Sequence, residues 1–220
     1  MPRTLYFLLT AIPLIAADPS WKTKPISAWT ADDAAQILTN SPWVKRTAFA
    51  IVPERSEAQL REGGKLGGGG KRAGLGALDK SLFADPKQRP PLQVRWESAA
   101  PVRAAELTSR ETDAPVWQGE YYAIAVYDVP GVTPLVQKFL AGDLKQTTTL
   151  KRSGGKPLKP IRVDIALSGD KLARIVYLFP RAAELTTYDK RIEFTSQIGR
   201  IVVTQFFDLD QMQFDGKLQL

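Results

Sequence analysis

Histidine and cysteine are both absent from the 220 residues, so any chemistry falls to carboxylates, lysine, tyrosine or hydroxyls. Ser-His-Asp and Cys-His nucleophile systems are thereby excluded, as are zinc, copper and non-haem iron sites built on imidazole or thiolate. Glu97, Glu120, Asp164 and Glu193 fall on or beside predicted strands and form the pool from which a glycosidase-type carboxylate pair would be drawn. Their spacing singles out no two of them. Trp29, Trp43, Trp96, Trp117, Tyr121 and Tyr122 have the faces to stack on sugar rings, yet aromatics in a domain of this size are expected to fill the core.

Three near-motifs fail on their context. Ser153-Gly154-Gly155-Lys156 has the Ser-x-x-Lys spacing of penicillin-recognising enzymes, but two glycines and Pro157 leave no helix to bring that lysine round. The tract Gly63 to Gly70 before Lys71 has Lys65 and Arg72 where a phosphate-binding loop needs glycine and Ser or Thr. Asp208, Asp210 and Asp215 suggest calcium, but Gln213 stands where an EF-hand requires glycine and no closing glutamate follows. No catalytic residue, metal ligand or cofactor is therefore expected. Lys65, Lys71 and Arg72 are the candidate anion contacts, carried on a glycine-rich loop.

The start of the chain has the three parts of a secretory signal peptide. Arg3 supplies the charge, an apolar run from Leu5 to Ile15 is broken only by Thr10 and Pro13, and Ala16-Ala17 provides the small-residue exit. Residues 1–17 are read as that leader, cleaved near Ala17, and the run is too short to span about 30 Å of hydrocarbon as an anchor. Without cysteine there is no lipid-acceptor residue and no disulfide. The formal charge is +7, and loss of Arg3 with the leader leaves +6. An exported, basic, periplasmic or extracellular protein is drawn to anionic envelope polymer or lipid head groups, and export makes nucleic acid a poor partner.

These side chains would be held by an α+β fold, a predominantly antiparallel sheet with C-terminal β-hairpins and two to four short helices, in a single domain over 18–220. Trp21 to Ser27 reads as an extended lead-in. Thr30 with Asp33 forms a capping box before a helix buried through Ala34, Ile37 and Leu38, stopped at Asn40-Ser41-Pro42. One strand is expected from Trp43 to Val52. Residues 54–80 combine eight glycines with cations, a composition expected to stay a flexible basic loop. Leu92, Val94 and Trp96 alternate as a half-buried strand, and Ser98 is placed to cap a helix with Val102, Ala105 and Leu107 inward. Tyr121 to Val129 reads as a central strand. A helix from about Thr133 is expected to end at Gly142. Hairpins then join Ile161–Leu167 with Leu172–Phe179, and Lys190–Gln197 with Ile201–Phe207, before a last strand after Asp215-Gly216.

Trp21-Lys22-Thr23-Lys24-Pro25-Ile26, Trp29-Thr30, Asp33-Ala34, Ile37-Leu38 and Ser41-Pro42-Trp43 together resemble the mature N-terminus of a family of small exported bacterial proteins. Trp96-Glu97-Ser98, Pro101-Val102-Arg103, Phe179-Pro180-Arg181 and Asp189 to Phe194 extend that likeness over most of the chain outside the glycine loop. The resemblance implies export and a shared fold, and carries no activity or site residues with it. The function expected is a binding or structural module of the cell envelope. The alternative is a histidine-free, carboxylate-dependent hydrolase of envelope polysaccharide.

Overall fold

The computed structural model describes residues 19–52, 89–111, 114–132, 134–152, 154–168, 172–181 and 184–220. The expected leader, the whole 54–80 loop and its Lys65, Lys71 and Arg72 lie outside the described residues. Among the described residues, three α-helices and eleven strands build an α+β fold whose strand pairings are all antiparallel.

Helix α1 (Ala31–Thr39) starts at the expected capping box: the Thr30 hydroxyl accepts from the Asp33 amide at 3.2 Å, and the Asp33 carboxylate accepts from the Thr30 amide at 2.9 Å. Lys24, then Ser20 and the Thr30 amide, hold the Asp33 carboxyl well below the usual carboxylate range. The lead-in is not extended. It coils into two short 3-10 turns, Ser20–Lys22 and Ile26–Ala28, which let Trp21 and Trp29 both be buried while the Trp29 indole donates to the Trp21 carbonyl at 3.2 Å.

The expected strand from Trp43 to Val52 is two strands in different sheets. β1 (Val44–Thr47) pairs with β3 (Leu92–Trp96), and β2 (Ala50–Ile51) pairs with β9 (Ile201–Asp208). The chain changes sheets at Ala48-Phe49 and buries the Phe49 ring there. With β4 (Tyr121–Pro130), β6 (Arg162–Ser168) and β7 (Leu172–Pro180), the first sheet has the order β1-β3-β4-β7-β6. The second runs β2-β9-β8-β5, with β5 (Thr148–Arg152) and β8 (Arg191–Ile198). Both long C-terminal hairpins are present as β6-β7 and β8-β9, and β10 (Gln213–Phe214) pairs with β11 (Lys217–Leu218) around Asp215-Gly216.

Alternation in the strands sends one set of side chains inward from each sheet. Val94, Trp96, Ile124 and Tyr177 from the first meet Phe194, Val203 and Phe207 from the second in one apolar core. Trp96 stands edge-on to Phe207 at 5.1 Å, and Tyr177 edge-on to Phe194 at 5.4 Å. The Tyr177 hydroxyl keeps a partner across this core, Ser196 Oγ at 2.8 Å, which in turn meets Thr148 Oγ1 at 2.9 Å.

Helix α2 (Ala100–Ser109) departs from expectation at both ends of its argument. Ser98 is not its cap, because its hydroxyl accepts from the Ala123 amide of β4 at 3.0 Å; Ala99 stands at the cap, and Pro101 in the first turn needs no amide partner. Leu107 is 80% exposed, while Glu106 is 2% exposed. The buried stripe is therefore Val102, Ala105, Glu106, with a carboxylate where an apolar residue belongs. Helix α3 (Pro134–Thr147) runs through Gly142, which faces solvent, since the buried stripe continues from Leu140 to Leu144.

Candidate functional site

On β3, Leu92, Val94 and Trp96 face the core, so Gln93, Arg95 and Glu97 face the other side of the sheet. Gln93 reaches the Leu38 carbonyl at the end of α1 at 2.7 Å, which places α1 on that outer face. Helix α2 packs beside α1 and lowers Glu106 onto Arg95. The result is a charged cluster with almost no solvent. Arg95 Nε donates to Glu97 Oε1 at 2.6 Å, and its Nη2 donates to Glu106 Oε1 at 2.9 Å. Half-buried Glu111 takes weaker bonds from Nη1 and Nη2 at 3.3 and 3.4 Å. Arg103, one turn before Glu106, donates to Glu106 Oε2 at 2.6 Å and stacks on the Trp117 ring at 4.9 Å.

Tyr127 completes the cluster, and a bulge aims it. Val126 pairs with Ile175 but Val129 with Ala173, so Tyr127 and Asp128 share the place opposite Arg174. Asp128 takes φ 60°, which turns its carboxylate to solvent and returns Val129 to the core. The Tyr127 hydroxyl is thus delivered to Glu97 Oε1 at 2.6 Å, accepts from Arg95, and its ring lies 4.5 Å beneath the Arg95 guanidinium.

Three carboxylates here face two guanidinium groups. Burial, and then the charge and hydrogen bond of Glu97, push the Glu106 carboxyl up to about 9, against the pull of Arg95 and Arg103. The Arg95–Glu106 contact and this raised value point in opposite directions: burial beside the like charge of Glu97 favours the protonated acid, while the two guanidinium groups bonded to its oxygens favour the carboxylate. Glu97 Oε2 is buried without a hydrogen-bond partner among the described residues. Burial disfavours a charged Arg95, but Glu97 and Tyr127 outweigh it and keep the guanidinium protonated. Burial followed by the Glu97 charge pushes the Tyr127 phenol up, so it acts as a donor.

Glu97 is thus the one strand carboxylate of the four that joins a pair, and its partner Glu106 comes from a helix. Glu120 is exposed, Asp164 is tied to Arg162 at 2.8 Å, and Glu193 accepts from Thr195 at 3.2 Å on the second sheet. Trp29, Trp43, Trp96 and Tyr122 are core residues, while Trp117 and Tyr121 are half-buried against the outer face of β4 and β7. Asp208 ends β9, Asp210 lies in the turn after it and Asp215 in the last hairpin turn; among the described residues no three carboxylates gather as a metal site. Ser153 lies outside the described residues, and Lys156 is exposed.

Two clefts open elsewhere. One, of about 490 Å³, lies between Lys22, Pro42 and the β10-β11 hairpin and carries Asp210, Asp215 and Phe214. The other, of about 540 Å³, runs along β1 and the end of α1. The lining of neither includes Glu97 or Glu106. Arg95 and Glu106 were beyond reach of strand alternation alone, though an arginine two residues from a glutamate on one face of a strand and a glutamate on a helix's apolar stripe are together the signal for a buried pair.

The architecture is that of a two-sheet α+β domain whose outer face is locked to its helices by buried charge. No family model, curated protein or solved structure matches the chain.

Proposed function

We propose that this is an exported binding or structural module of the cell envelope that holds anionic envelope components, with no reaction of its own. The observation that carries this reading is the closure of the carboxylate pair. Glu97 and Glu106 are the described carboxylates best suited to acid-base work, yet both are almost wholly buried, Arg95, Arg103 and Tyr127 engage both Glu106 oxygens and Glu97 Oε1, and neither described cleft reaches them. A glycoside cannot enter between them, which takes support from the hydrolase reading. The reading of residues 1–17 as a leader supports export, and a charge of +6 without them supports anionic partners. Among the described residues no helix is long and apolar enough to cross a membrane.

Fractionation of producing cells tests the proposal. The chain is expected to begin near Asp18 and to sediment with the envelope at low ionic strength, released by high salt. Intact Met1–Ala17 on cytoplasmic protein, or mature protein that stays in the soluble fraction at low salt, overturns it.

A further inference from the structure

We infer that the cleft along the open edge of β1 is a binding site for an acidic saccharide, with Lys45 and Arg46 as its anion contacts. The inference rests on the envelope-binding reading and gives it a place on the molecule.

The cleft is lined by Thr39, Asn40, Ser41, Val44, Lys45 and Arg46, with no carboxylate in the lining. β1 is the edge of its sheet, so one side of its backbone has no strand partner. Trp96 donates its amide to the Trp43 carbonyl at 2.8 Å, which sets the alternation. Lys45 and Thr47 turn their backbone groups to β3, and Val44 and Arg46 turn theirs to the open edge. The Val44 amide is used locally by the Ser41 carbonyl at 3.1 Å, which leaves the Arg46 amide facing the cleft. Side chains at neighbouring strand positions point to opposite faces, so Lys45 and Arg46 straddle this edge. Neither makes a hydrogen bond or ion pair with another described residue. Asp208 acts on Lys45 through space from outside the lining, too weakly to offset burial, which lowers the Lys45 ammonium from its ordinary value.

A helix end normally opposes an anion, because its last carbonyls are exposed. Here three of the last four are taken. The Asn40 amide donates to Gln36 O at 2.7 Å, the Ser41 hydroxyl to Ile37 O at 2.6 Å and Gln93 to Leu38 O at 2.7 Å. With those carbonyls satisfied, the cleft presents two cations, the Arg46 amide and the Asn40 side chain, with hydroxyl oxygens beside them. Anion contacts next to amide and hydroxyl groups suit a sugar ring bearing a carboxylate or a phosphate. The volume exceeds what a lone inorganic anion needs. A bilayer surface is the poorer fit, since the apolar residue in the lining, Val44, is itself buried.

Binding of the mature chain to polygalacturonate, phosphate-substituted dextran and plain dextran at low salt tests the site. The two acidic polymers separate uronate from sugar phosphate as the source of the anion. Tight binding to at least one of them, little to plain dextran, and about tenfold weaker binding by K45Q/R46Q with an unchanged Tm are expected. The single variant R46Q, at an exposed position, is expected to lose part of the affinity and guards against misfolding of the double variant. Undiminished binding by K45Q/R46Q, with loss in K65Q/K71Q/R72Q, overturns the cleft and leaves the envelope reading standing. No binding to either acidic polymer by the wild type, but capture by phosphatidylglycerol vesicles, overturns the saccharide. No binding to any of these probes overturns both readings.

Discussion

Glu106 and Arg95 meet at 2.9 Å where a helix crosses the outer face of a sheet, and each is 2% exposed. A buried ion pair of this kind contributes little net stability against an apolar pair of equal shape, but it strongly penalises the loss of one partner. It therefore fixes how Glu106 of α2 sits against Arg95 of β3, and the following consequences are measurable.

Arg95→Met strands Glu97 and Glu106 together beneath α2 without their shared cation. The expected loss is about 3–5 kcal/mol, read from urea denaturation at neutral pH. Glu111→Gln, at the half-exposed rim of the same cluster, is expected to change stability by about 1 kcal/mol or less. Equal effects from the two would contradict the buried assignment.

The contribution of Glu106 to stability should fall as pH rises from about 4.5 towards about 9, opposite in sign to that of Asp33, which is lost as pH falls below the ordinary carboxylate range. The Glu106 carboxyl is raised from an ordinary 4.5 to about 9, first by burial and then by Glu97. The folded state binds that proton more tightly than the unfolded state, so its contribution is fully present below pH 4.5 and is lost as pH rises towards about 9. The slope from this group is at most about 1.4 kcal/mol per pH unit. E106Q keeps the shape without the titration and should flatten that part of the profile. A wild-type profile parallel to that of E106Q would show that no proton is held there.

Ser196→Ala removes the middle of the Tyr177–Ser196–Thr148 chain and leaves the Tyr177 hydroxyl without its partner between the two sheets. A loss of about 1–3 kcal/mol is expected. The double variant Ser196→Ala with Tyr177→Phe should recover part of it, because no buried hydroxyl of Tyr177 remains to be satisfied. No recovery would mean that the hydroxyls act independently.

Asp128 holds the bulge at φ 60°, a conformation glycine adopts freely and β-branched residues resist. D128G should be neutral or slightly stabilising. D128V should cost about 1–2 kcal/mol and, by disturbing Tyr127, alter the near-ultraviolet signal of that ring. An unperturbed D128V would remove the bulge as the device that positions Tyr127.

The elements whose signal is local were legible from composition and spacing. The Thr30–Asp33 box, the alternation of Leu92, Val94 and Trp96, and the two C-terminal hairpins all lie where pattern puts them. What the pattern missed depends on partners far along the chain. The break at Ala48-Phe49 exists because β1 and β2 answer to different sheets, which no local run of β-branched residues encodes. Leu107 was expected inward because it is apolar, but the stripe that faces the sheet passes through Glu106, and only Arg95 makes that burial tolerable. Of the candidate site, Glu97 was in the original pool; Arg95, Glu106 and Tyr127 were not, since their pairing is tertiary.

The decisive measurement is the salt dependence of binding between the mature chain, residues 18–220, and isolated envelope. If the protein engages anionic envelope components, the bound fraction falls steadily as ionic strength rises, and K45Q/R46Q shows both weaker binding and a shallower fall. Binding that is indifferent to salt, or absent at low salt, would contradict the account.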